Sequence, residues 1–203
     1  MYEYIKGMIS FIGPEYIVVE NSGIGYRVLT PNPFAFSKHE QEQKMIYLYQ
    51  HIREDAHLLF GFATAEEKRL FEKLISVSGI GPKGALAVLA SGTPAHVVNA
   101  IEREDEPYLV KFPGIGKKTA RQMILDLKGK LDDVAADSLT GLFIPEQPDD
   151  AVSGNAALDE ALLALEALGY SAREIKRITG RLEKEAAMST DEYIRKGLQL
   201  LLG

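Results

Sequence analysis

Two short runs of glycine and lysine are the parts of this sequence whose residue types and spacing could do chemistry. GIGPKGALAVL carries Gly79, Gly81 and Gly84 with Lys83 among them, and FPGIGKKTARQMIL carries Gly114 and Gly116 followed by Lys117, Lys118, Thr119 and Arg121. Glycine permits backbone conformations closed to residues with a Cβ and lets another backbone come close. In a helix, Gly-x-Gly hairpin, helix arrangement, the amides of the hairpin and of the next helix point outward at the positive end of the helix dipole. That geometry receives a phosphate. The basic side chains just beyond the glycines add charge without reading base edges. One such loop would hold a polyanion weakly; two in tandem grip two phosphates at a fixed separation, which suits a nucleic-acid backbone.

The first run also satisfies G-x-G-x-x-G, the dinucleotide-binding spacing. A Rossmann unit needs a buried strand immediately before the first glycine. Here an amphipathic helical pattern precedes Gly79, the short helical stretch EPYLVKFP precedes Gly114, and Thr119 stands where the second copy would need its third glycine. No G-x-x-x-x-G-K-[ST] phosphate loop occurs either. A plainer alternative makes each GIG a simple interhelical turn with Ile80 and Ile115 as core plugs. Repetition of the turn, each time followed by lysine, favours the phosphate reading.

The elements that must position these loops divide the chain into four parts. Residues 1–63 are rich in Ile, Val, Tyr and Phe in short runs, broken at Gly13-Pro14, Asn21-Ser22-Gly23 and Pro31-Asn32-Pro33. YIKGMISFIG, YIVVENSG, GYRVLTP, MIYLYQHI and HLLFGFA make five candidate strands, which close as a small barrel of the OB-fold kind. Residues 64–131 read as short helices with glycine-rich breaks, opened by a capping box at Thr64 and Glu67. Residues 132–155 mix Asp, Pro, Ser and Gly as a flexible acidic linker does. Residues 156–203 read as three short helices, capped in the second by Ser171 with Glu174 and in the third by Thr190. The expected fold is multidomain α+β.

Charge follows the same division. The net charge of -6 argues against nucleic acid only until it is split by segment. Residues 132–155 hold no Lys or Arg against 6 Asp and Glu, whereas residues 63–131 hold 11 basic against 8 acidic. The hairpin segment is therefore basic. The chain has no cysteine, which excludes disulfides, thiolate catalysis and cysteine-held metal clusters. With no run of about 20 apolar residues and no signal-like start, a cytoplasmic location is expected.

The hairpin pair, preceded by HIREDAHLLFGF and followed by an acidic linker and a helical end containing ALGY, resembles the RuvA family of Holliday-junction recognition subunits. The match runs in order over essentially the whole chain. The resemblance implies a non-catalytic homotetramer, or two tetramers face to face, whose hairpins bind four duplex arms on the minor-groove side and need no cofactor or metal. It implies the hexameric ATPase RuvB as partner and admits the junction-resolving endonuclease RuvC as another. It maps Gly79, Gly81, Lys83, Gly84, Gly114, Gly116, Lys117, Lys118, Thr119 and Arg121 to DNA, and Glu54 with Asp55 to an acidic pin at the tetramer centre. There Arg53 would offer a compensating phosphate contact. Leu168, Gly169, Tyr170 and Leu198 map to the contact with the motor. From helical spacing alone, Leu162, Leu165, Leu168 and Tyr170 are core residues, although so small a unit should leave some of them exposed. FPGIGKKTA also resembles the hairpin of base-excision DNA glycosylases, with Lys118 as a catalytic amine and Asp132, Asp133 or Asp137 as its acidic partner. That fold needs a larger helical body, and its bifunctional members commonly carry a cysteine-bound cluster. A scaffold that binds only protein would show no affinity for DNA.

Overall fold

A computed structural model describes residues 2–90, 94–131, 134, 154–186 and 188–202. Strands β1 (Tyr4–Ile12), β2 (Tyr16–Asn21), β3 (Ile24–Leu29), β4 (Gln43–Arg53) and β5 (Ala56–Phe62) form a closed barrel in the order β1-β2-β3-β5-β4. The β3–β5 pairing is parallel and the others are antiparallel. Alternate residues point inward, so Ile9, Ile17, Val19, Val28, Ile46 and Leu48 fill the interior, each at most 2% exposed. The stretch at Pro31-Asn32-Pro33, expected as a turn, leads into a 3₁₀ helix (Pro33–His39) that carries Phe34 and Phe36 into the core. The Asn32 side chain accepts from the Phe34 amide, and Pro33 sits at the helix start, where a missing N–H leaves nothing unpaired.

Helix α1 (Ala65–Ser76) joins the barrel to the helical region through Phe71, whose ring lies 4.9 Å from that of Phe62 and 5.2 Å from that of Phe60. Burying one such ring contributes about 1.5–3 kcal/mol. Lys68 of α1 reaches across to Glu3 at 2.5 Å, which ties the start of the chain to the same seam. The Thr64 hydroxyl caps the Glu67 amide, as the sequence predicts. The Glu67 carboxylate, however, accepts from the Ala63 amide, one residue before the cap.

Four further helices, α2 (Pro82–Ala90), α3 (Pro94–Glu102), α4 (Glu106–Leu109) and α5 (Lys117–Leu127), complete the hairpin region. The C-terminal unit consists of α6 (Gly154–Ala167), α7 (Ala172–Leu182) and α8 (Thr190–Leu202). Ser171 and Glu174 exchange both bonds of a capping box at the start of α7. At α8 the cap is Ser189 and not Thr190: the Glu192 amide donates to Ser189 Oγ at 3.3 Å and the Ser189 amide to the Glu192 carboxylate at 2.8 Å. Thr190 is already helical, and its hydroxyl donates to Glu160 of α6 at 3.0 Å. The predicted linker lies outside the described residues except for Val134, Gly154 and Asn155, and so do Asp132, Asp133 and Asp137. Among the described residues, no single helix is long and apolar enough to cross a membrane.

Candidate nucleic-acid interface

The two hairpins repeat each other bond for bond. After α1, the Ile80 amide donates to the Val77 carbonyl at 3.1 Å; after α4, the Ile115 amide donates to the Phe112 carbonyl at 3.1 Å. Gly79 has φ +94° and Gly114 has φ +78°, the left-handed region that a Cβ disfavours, so these two glycines are required by the backbone. Ile80 and Ile115 are buried and anchor each turn in the core. The plug reading of these isoleucines is thus correct and leaves the glycines facing solvent. Gly81 and Gly116 open the following helices, accepting from the Ala85 and Ala120 amides.

The helix starts are left open. Gly116 is the N-cap of α5 and offers no side chain, so among the described residues no side-chain cap occupies the first turn that holds Lys117, Lys118 and Thr119. In the first copy Pro82 opens α2 without an N–H, and Lys83 and Gly84 supply the next amides. Gly79, Gly81, Lys83, Gly114, Gly116, Lys117, Lys118 and Arg121 line this face, and the Arg121 side chain is 71% exposed. Arg121 is also held by Glu106 of α4, its Nε donating to the carboxylate at 2.8 Å.

The structure brings the two copies side by side. A methyl group added at Gly79 would stand 3.4 Å from Thr119 Oγ1, so the tip of the first hairpin abuts the start of α5. At Gly84 the same methyl would meet only Ile80, at 3.9 Å. The third glycine of the apparent dinucleotide motif is therefore not demanded by packing or backbone, which explains how Thr119 takes its place in the second copy. A helix precedes each hairpin, so the strand that a Rossmann site needs is missing.

Glu54 and Asp55 form the two-residue turn between β4 and β5, whose pairing runs out to Arg53 opposite Ala56. Both carboxylates are exposed at the tip. The Arg53 Nε hydrogen-bonds His51 Nε2 at 2.9 Å behind them. Among the described residues, no cluster of three or more His, Cys, Asp or Glu could hold a metal ion.

The C-terminal residues lie differently from a free surface. Leu168, Tyr170 and Leu198 are buried. The α6–α7 turn rests on both hairpins, since a methyl at Gly169 would stand 3.6 Å from Pro113 and 3.9 Å from Lys83. Burial pushes the Tyr170 phenol well above its ordinary range, helped by the nearby Glu174 carboxylate and Tyr108. Two polar bonds extend the seam: Asn32 Nδ2 donates to Asp191 at 2.6 Å, and Lys111 Nζ donates to the Leu202 carbonyl. Among the described side chains of α6, the exposed large apolar one is Leu163, outside the set Leu162, Leu165 and Leu168 that helical spacing selects. The signal was present: Ala157, Ala161, Ala164, Leu165 and Leu168 form the buried stripe, which leaves Leu163 on the opposite face.

Comparison with known proteins agrees with this layout. Residues 1–61 match the RuvA N terminal domain, residues 71–130 the SAM-like helix-hairpin-helix tandem and residues 156–202 the RuvA C-terminal domain. The chain is 56% identical over 202 residues to the Holliday junction branch migration complex subunit RuvA of Bacillus velezensis, covering 100% of both chains. The chain belongs to the RuvA family. The correspondingly named subunit of Bacillus thuringiensis is 57% identical over 203 residues, covering 100% of this chain and 98% of its own. That of Bacillus cereus strain AH187 matches to the same extent. RuvA-family membership gives the five-stranded barrel, the tandem hairpins and the helical end as one architecture. The hairpin match is to a general tandem module, and nothing in it favours the glycosylase alternative.

Proposed function

We propose that this RuvA-family chain binds four-way DNA junctions by their shape, without reading sequence, as the recognition subunit of a branch migration complex. The observation that carries the reading is the pair of equivalent, adjacent hairpins whose first-turn amides are open and flanked by exposed lysines. Each hairpin presents amides and a helix dipole to one phosphate, and Lys83, Lys117, Lys118 and Arg121 add attraction that any arm sequence satisfies. Glu54 and Asp55 act by repulsion: carboxylates gain nothing from phosphates, but they penalise strand paths through the crossover and guide strands apart into their duplexes.

The junction has four arms, and four copies supply one hairpin pair to each. A homotetramer joined through the barrels fits this need, as do two tetramers face to face. Tyr2, Tyr4, Phe11, Ile24, Met45 and Ile52 leave the barrel with the exposed apolar area that such association covers. The chain is the non-catalytic member; a separate ATPase of the RuvB type supplies the work and RuvC resolves the junction. Contact with the motor through Leu168, Gly169 and Tyr170 needs the helical end to leave the hairpins, because Leu168 and Tyr170 are buried there. Leu198, inside the unit, holds α8 beneath that surface.

The test is a gel-shift with a four-way junction, a linear duplex of equal length and single strands at two salt concentrations. Preference for the junction at both is expected; equal binding to all three would overturn the reading. Replacing Lys117 and Lys118 by Ala should weaken every arm sequence alike and flatten the log-log salt dependence by up to about 0.9 for each phosphate left without its cation.

A further inference from the structure

A cavity of about 360 Å³ opens at the end of the barrel where the β4–β5 turn, β3 and the start of α2 converge, with the end of α6 as a fourth wall. It lies between Asp55 of the acidic turn and Pro82 and Lys83 of the first hairpin, so it is flanked by both elements assigned to DNA. Its size falls in the range of about 300–1,000 Å³ typical of small-ligand sites. The walls are apolar, with Leu29, Leu58, Phe60 and Leu86 among them, and His51, whose ring packs edge-on against that of Phe60, stands at the same wall. The polar groups are few: the cations of Arg53 and Lys83, the carboxylates of Glu15 and Asp55, and Thr30. Thr30 is 2% exposed, and its hydroxyl has no hydrogen-bond partner among the described residues, an uncommon state for a buried polar group.

We propose that this cavity receives one unpaired nucleobase at the crossover of a bound junction, with the adjoining phosphate at Lys83 and Arg53. The inference rests on the junction reading above. A nucleotide is the constituent of DNA that divides as the cavity divides: a planar apolar face, an edge that hydrogen-bonds, and one anion. An intact base pair presents its edges to its own partner and has no single face to offer. The acidic turn parts the strands at the place where the cavity opens, which supplies the unpaired base. Stacking against ring and aliphatic walls accepts every base type, in keeping with sequence-blind binding. Glu15 and Asp55 repel the phosphate, which leaves the cations of Lys83 and Arg53 as its partners.

The experiment uses the full chain and an immobile four-way junction carrying 4-thiothymidine at the crossover, irradiated at long wavelength, with crosslinked peptides mapped by mass spectrometry. Crosslinks to residues 29–31, 51–60 or 82–86 are expected, and none to these segments when the probe sits in the middle of an arm. Ala56→Phe fills the cavity from the barrel side and should lower the crosslink yield about tenfold or more, the size of one base stack, while a gel-shift shows the junction still bound. Ala167→Phe fills it from the α6 side and repeats the test should Ala56→Phe fail to fold. Junction binding with crosslinks elsewhere, or yields unchanged in a folded cavity-filled variant, overturns the cavity assignment alone. Loss of junction preference in the native chain overturns the junction reading and this inference together.

Discussion

At Arg121 two partners compete for one guanidinium. Glu106 accepts from its Nε at 2.8 Å, and the side chain is largely exposed, so the pair is a solvent-screened surface ion pair of small worth. A phosphate at the second hairpin must share or displace that carboxylate. Glu106→Gln should therefore raise affinity for junction and plain duplex together by about 1.5- to 5-fold, read by titration at fixed salt; unchanged affinity would mean that Arg121 does not face the DNA. The glycines give a second residue-scale outcome. Gly79→Ala forces a Cβ into the left-handed region at about 1–2 kcal/mol and crowds Thr119, whereas Gly84→Ala meets open space inside a helix and should stabilise by up to about 1 kcal/mol. Thermal unfolding of the two variants should move in opposite directions. The difference was half legible: the repeat of GIG marked the first two glycines of each copy, and Thr119 in place of Gly84 showed that the third was dispensable. The Arg121–Glu106 pair was not, because it depends on how α4 packs on α5.

At the scale of elements, the caps show what spacing can and cannot say. Ser171 with Glu174 was readable from S-x-x-E, and the structure forms both bonds. For α8 the same pattern, Ser189 with Glu192, identifies the true cap, and Thr190 offers no acidic residue three positions on. Ser189→Ala should cost about 1 kcal/mol, while Thr190→Val loses only the bond to Glu160 and costs less; urea titrations rank the two. The Ser171 hydroxyl and amide hold the Glu174 carboxyl below its ordinary value of 4.5. A depressed carboxyl contributes stability that is present above pH 4.5 and lost as pH falls through the folded-state value. Ser171→Ala should therefore be less stable than the parent at pH 7, with the gap narrowing as pH falls below 4.5 and that carboxylate is protonated in both proteins. Burial acts oppositely on Glu67 and raises its pKa, so its contribution favours folding at low pH and fades as pH rises through the folded-state value. Strands and helices were legible because their periods differ. The 3₁₀ helix after Asn32 was not, since Pro-Asn-Pro signals a break in either case.

Across the whole molecule, the seam between the helical end and the hairpins has no sequence signature at all. Asn32 and Asp191 are 159 residues apart and meet only because the barrel, the hairpins and α8 assemble around one apolar cluster running from Phe34 to Leu202. That seam buries Leu168 and Tyr170, the side chains proposed to meet the motor. Docking and motor contact then draw on the same surface, and the apparent affinity for the motor equals the intrinsic affinity reduced by the fraction of undocked molecules. Asn32→Asp separates these terms. Its carboxylate still accepts from the Phe34 amide and keeps the 3₁₀ cap, but it faces Asp191 as a like charge where Asn32 now donates at 2.6 Å. The substitution changes no residue of the helical end itself. Weakened docking should raise the apparent affinity for the ATPase several-fold, by about tenfold for each 1.4 kcal/mol removed from the seam, and hydrogen exchange should quicken in α8 and around residue 170. Junction affinity should not fall, because the hairpin amides are open in the docked state and undocking only uncovers Lys83 and Pro113. Faster exchange with no gain in motor affinity would show that the motor does not use the buried turn, and Leu163 on the outer face of α6 would become the side chain to replace next.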